Sequence, residues 1–120
     1  MTKILGVCVF VFAALAVCTP KDATRGEWLL TSCQLAVKAT EDSTPINKIA
    51  PLESFQVGYC DGLIHGIVGV SPRVCAGKYV TQQQAIRVVL KYLQDHPEEL
   101  DQKGTTLAEK ALAKAFPCSK

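Results

Sequence analysis

Apolar residues fall into two kinds of pattern along the chain. The first is an unbroken run, Ile4 to Val17, preceded by a single basic residue, Lys3. At about 14 residues this run is short for a membrane span and suits the core of a secretory signal peptide. The second pattern is periodic. Leu29, Leu30, Cys33, Ala36 and Val37 recur at the spacing of a buried helical face, as do Ile86, Val89, Leu90 and Leu93. Leu107, Ala111, Leu112 and Ala115 repeat it once more. Between the first two lies a helix expected from about Glu53 to Val70. Phe55, Tyr59, Leu63 and Val70 share one stripe of it, widened by Val57, Ile64 and Val68. A helix apolar over so much of its circumference belongs at the centre of a bundle. No segment alternates at the strand period. The pattern predicts an all-α protein: a small bundle of four main helices.

Helix ends are marked as well. Thr24 with Glu27, Thr81 with Gln84 and Thr106 with Glu109 each have the spacing of a capping box. Pro45 and Pro51 make Thr40 to Leu52 a long connection. Pro72 and Gly77 end the second helix. The third stops at "DHP", since a residue before proline is pushed out of the helical region. Asp95 is then placed to cap a short turn over "PEEL". Pro117 closes the last helix.

The segment "GYCDGLIHG" repeats glycine at Gly58, Gly62 and Gly66. Each glycine inside a helix costs about 1 kcal/mol relative to alanine, so the spacing asks for a reason. Residues four apart share a helix face. A ridge without side chains predicts close packing of a neighbouring helix there. The other reading is a groove open to the backbone of a ligand or partner.

Cysteine usage turns the bundle into a stapled one. A signal peptide over residues 1–18 leaves a helical domain over 19–120. Cleavage fits after "ALA" (Ala14 to Ala16) or after "AVC" ending at Cys18. "LAVC" also resembles a lipobox, in which Cys18 would be acylated, although Val17 departs from the small residue expected there. Membrane attachment is expected only in that case. A mature start near Thr19, or at a lipidated Cys18, leaves Cys33, Cys60, Cys75 and Cys118 to be paired, an even set that predicts two disulfides in an exported domain. Their spacings contain no C-x-x-C, which disfavours a zinc site.

Four cysteines allow three connectivities. Up-down topology, the default for short connections, favours one of them. It brings Cys75 and Cys118 to the same end of the bundle. It sets Cys33 and Cys60 at similar heights on antiparallel helices. Cys60 with Cys75 would need the chain to return about 15 Å along its own helix within a few residues.

Charge and chemistry exclude more than they suggest. The net charge is +2 and the cations are scattered, unlike a nucleic-acid footprint. Of the two histidines, His65 lies one turn from Asp61 and reads as a polar edge of the helix, since no nucleophile joins the pair. His96 reads as a helix-end residue. "HPE" lacks the P-C-x-x-C of a zinc deaminase, and there is no phosphate loop or dinucleotide fingerprint. No catalytic residue, metal or cofactor is expected. The residues describe an exported helical binding protein, either a specific inhibitor or a general periplasmic stress or chaperone-like protein.

The ordered set "CDGLIHG" (Cys60 to Gly66), Cys75, "VVLKYLQDHPEEL" (Val88 to Leu100) and "ALAKAFPC" (Ala111 to Cys118) resembles the Tai family of type VI secretion amidase immunity proteins. Leu63 departs from it, standing where that family often has tyrosine. The resemblance implies an all-helical periplasmic homodimer that blocks a peptidoglycan amidase effector and protects the producing cell. An inhibitor acts through surface complementarity rather than catalytic groups. The expected partner-binding residues are Gln82, Gln83, Arg87, Lys91 and Gln94, along the polar side of the third helix opposite Ile86, Val89 and Leu93. The alternative is a chaperone-like protein with no cognate amidase.

Overall fold

The computed structural model describes residues 22–119. The signal-peptide segment, its cleavage site and Cys18 lie outside them. Four α-helices follow in order: α1 (Gly26–Glu41), α2 (Pro51–Val70), α3 (Gln82–Asp95) and α4 (Gly104–Ala115). Short 3-10 turns at Ile46–Lys48 and Pro97–Glu99 sit in the connections before α2 and before α4. Among the described residues there is no strand, only an isolated bridge between Arg25 and Lys103.

One of the three expected capping boxes forms. The Gln84 N–H donates to Thr81 Oγ1 at 3.1 Å, and the Thr81 N–H donates to Gln84 Oε1 at 2.8 Å. The other two boxes are absent. The N-cap of α1 is Arg25 and that of α4 is Lys103, neither with a side-chain cap. Thr24 instead donates its hydroxyl to Asp22 at 2.7 Å, and Thr106 lies inside α4.

The reason is tertiary. The two helix starts meet and satisfy each other's backbone. Gly26 N–H donates to the Gln102 carbonyl at 2.8 Å, Glu27 N–H to the Leu100 carbonyl at 3.2 Å, and Gly104 N–H to the Thr24 carbonyl at 2.7 Å. The first N–H groups of a helix need partners from outside it, and here carbonyls supply them. Helix α2 starts earlier than expected, at Pro51, because proline fits the first helical position where no N–H is needed. Asp95 does not cap the following turn. His96 holds that N-cap position, and Asp95 Oδ2 accepts from Lys91 Nζ at 2.9 Å.

Both disulfides form as expected, Cys33–Cys60 with its Cα atoms 5.2 Å apart and Cys75–Cys118 at 5.0 Å. The first is fully buried among Leu29, Ile64, Ile86, Val89, Leu93, Leu107 and Leu112. Helix α1 packs against all three other helices and is the hub of the bundle.

The central place therefore falls to α1 rather than to α2, and the inward stripe expected for α2 holds in part: Ile64 is buried and Val57, Tyr59, Leu63 and Val68 pack against the core, whereas Phe55 and Val70 do not. The buried residues of α2 are Gln56, Cys60 and Ile64. Leu52 and Phe55 are each 62% exposed and Val70 is 83% exposed. The disulfide explains this rotation. Cys60 must face Cys33, which turns Ile64 inward. Residues two apart on a helix point to nearly opposite sides, so Gly58 and Gly62 turn outward.

Candidate functional site

Two exposed helix faces stand out. The first is the outer side of α3. Arg87, Lys91 and Gln94 are exposed along it. Arg87 Nη2 pairs with Glu41 Oε1 at 2.9 Å, linking α3 to the last residue of α1, and Lys91 pairs with Asp95 one turn on. Single ion pairs at such exposure contribute about 0–1 kcal/mol.

Gln82 does not belong to this face. It lies four residues before Ile86 and seven before Val89, on the same side as the core. Its Nε2 donates to the carbonyl of Asp61 at 2.9 Å and to Asp61 Oδ1 at 3.3 Å, tying the start of α3 to α2. Gln83 is half-buried, with its Oε1 enclosed and without a hydrogen-bond partner among the described residues. The structure thus brings Arg87, Lys91 and Gln94 together and sets Gln82 and Gln83 along the inner edge.

The second face belongs to α2. Gly58, Gly62 and Gly66 are exposed, and a Cβ atom built on any of them meets nothing within 4 Å. None of the described helices presses into this ridge, so the expected close packing is absent among the described residues. Gly69 continues the open ridge. Phe55, Leu52 and Val70 flank it as large exposed apolar side chains. Asp61 and His65 lie along its other edge, with no hydrogen bond between them among the described residues.

A polar cluster at the end of α3 is structural. Tyr92 Oη donates to Glu99 Oε2 and Lys110 Nζ donates to Glu99 Oε1, both at 2.6 Å. The His96 Nδ1–H donates to the Tyr92 carbonyl at 2.8 Å, and the two rings stack at 4.0 Å. Lys110, and next Tyr92, hold the Glu99 carboxyl below its usual range by hydrogen bonding to it. The same bond to Glu99 raises Lys110. Burial, then the bond to Glu99, raises Tyr92. These groups satisfy one another and clasp the 3-10 turn between α3 and α4. The tyrosine, histidine and glutamate at positions 92, 96 and 99 were the signal for this clasp, and reading His96 as a helix end missed their convergence. No group of three or more histidine, cysteine or acidic side chains is arranged for a metal ion among the described residues. No described helix is long and apolar enough to cross a membrane.

No curated protein and no solved structure matches the chain. The profile of a family described as Rap1a immunity proteins matches residues 25–118, a stretch that takes in all four helices and both disulfides. The immunity class implied by the motif set is thus supported at the level of this family rather than of the Tai proteins. The chain belongs to the Rap1a immunity proteins, a family associated with type VI secretion.

Proposed function

We propose that this protein is a periplasmic immunity protein that binds and blocks a peptidoglycan amidase effector of a type VI secretion system. It acts by stoichiometric inhibition, without catalysis. Residues 1–18 direct export and are removed, leaving the stapled domain of residues 19–120. The observation that carries this reading is the family match over the whole bundle. The fold is consistent with it. Two buried or terminal staples hold a rigid frame, and two helix faces remain uncovered on that frame.

The α2 face serves to pair two copies. Its glycines permit close approach of a second backbone, and Phe55, Leu52 and Val70 supply apolar area. A face that contacts its own copy closes a two-fold dimer. The outer side of α3, with Arg87, Lys91 and Gln94 and with Gln82 and Gln83 at its edge, faces the effector.

The test is to produce the cell-wall hydrolase encoded beside this gene in the periplasm, with and without this protein. Rescue from lysis and a stable purified complex are the expected results. Light scattering on the free protein should report a dimer, and Gly62→Glu should report a monomer. Lysis unrelieved by this protein, with no complex formed, would sink the immunity reading.

A further inference from the structure

A groove of about 540 Å³ runs between α3 and α4. Its cations come from two helices: Arg87 and Lys91 from α3, one turn apart, and Lys114 from the last turn of α4. Its apolar lining comes from Val88, Ala111 and Ala115. Asp95 is the one carboxylate in the lining. Arg87 and Lys91 are held by single exposed ion pairs, to Glu41 and Asp95. Lys114 has no carboxylate partner among the described residues.

We infer that this groove docks an acidic segment of the partner protein, one that alternates carboxylate and apolar side chains along an extended backbone. The inference rests on the immunity reading and specifies its partner's chemistry. Three cations stand against two carboxylates, Asp95 in the lining and Glu41 paired with Arg87, which leaves one positive charge in excess. Exposed single pairs contribute little, so incoming carboxylates can displace Glu41 from Arg87 and Asp95 from Lys91 at small cost. Lys114 offers a further cation already free. The apolar side chains between the cations favour a peptide over a phosphate or a sugar, since burying them against apolar groups of the partner is itself stabilising. Charge complementarity of this kind sets specificity and association rate.

The probe is an acetylated peptide alternating glutamate with leucine, titrated into the disulfide-bonded mature protein and followed by amide NMR. Shifts are expected at Val88, Lys91, His96, Ala111 and Lys114, weakening as salt is raised. They should vanish in Lys91→Glu with Lys114→Glu, whose unchanged melting confirms its fold. Absent or scattered shifts, shifts that survive the charge reversal, or equal shifts with a glutamine-for-glutamate peptide would overturn the inference. Calorimetry with the amidase is the second arm. The double variant should bind roughly tenfold or more weakly, while Lys48→Glu, outside the groove, should bind like the wild type. An amidase bound equally by wild type and double variant refutes the groove and leaves the function standing. An amidase that the wild type does not bind refutes the function, and the peptide titration alone then decides the groove.

Discussion

Two sets of glycines behave in opposite ways in this bundle. Gly58, Gly62 and Gly66 repeat at helical spacing, yet a Cβ on any of them would meet open space. Gly26 and Gly104 stand alone in the sequence and are buried where the starts of α1 and α4 cross. A Cβ on Gly26 would lie 2.5 Å from Leu107 Cδ1 and 3.1 Å from the backbone of Leu100. On Gly104 it would lie 3.2 Å from Leu29 Cβ and 3.3 Å from the Arg25 carbonyl. The isolated pair holds two helix ends in backbone contact, and the repeated set leaves a smooth surface. Spacing reveals that a face is bare. It does not reveal whether anything of the same chain lies against it.

The comparison can be broken most severely at the covalent link that orients α2. Replacing Cys33 and Cys60 together by alanine should cost about 2–5 kcal/mol in chemical denaturation. It should also loosen the rotation of α2, so that hydrogen exchange along α2 rises more than along α3.

Gly26→Leu should destabilise by about 1–3 kcal/mol or more, because the Leu100 backbone cannot give way as a flexible side chain could. Gly62→Ala should do the reverse. With open space around it, alanine should stabilise the monomer by about 0.5–1 kcal/mol, while self-association measured by sedimentation weakens. Equal destabilisation by both substitutions would erase the distinction between the two sets.

The smallest effect is expected at the clasp, away from both. Glu99 has a lowered pKa in the folded protein. Its contribution is present above the unfolded carboxylate range and is lost as pH falls through the folded value. Lys110 has a raised pKa, so its contribution is present below the unfolded lysine value and is lost as pH rises through the folded one. Melting temperature should therefore hold a plateau through neutral pH and fall on both sides. Glu99→Gln should shallow the acidic fall and leave the contrast between Gly26 and Gly62 intact.

The helices and the disulfide pairing were legible because they depend on local periodicity and on heights along a bundle. What failed depended on rotation or on distant partners. Thr24 with Glu27 and Thr106 with Glu109 have the right spacing for capping boxes, but carbonyls of Thr24, Leu100 and Gln102 fill that need. Helix α2 carries apolar residues on most sides, so periodicity alone could not select the inward one. The bond of Cys60 to Cys33 does. On α3, Arg87, Lys91 and Gln94 emerged on the outer side as expected, whereas Gln82 falls on the core side by its spacing to Ile86 and Val89. The groove stayed hidden because Lys114 joins it from another helix, and no spacing within α3 encodes that neighbour.

The linkage of Cys33 to Cys60 and of Cys75 to Cys118 has a further meaning when the chain is considered in time. Of these four cysteines the first is joined to the second and the third to the fourth, so the two covalent rings lie one after the other and never interleave. A chain emerging N-terminus first presents Cys33 and Cys60 before Cys75 appears. An oxidase that joins thiols in their order of appearance makes the native pairs without reshuffling. Of the three ways to pair four cysteines, this alone lets maturation keep step with delivery of the chain.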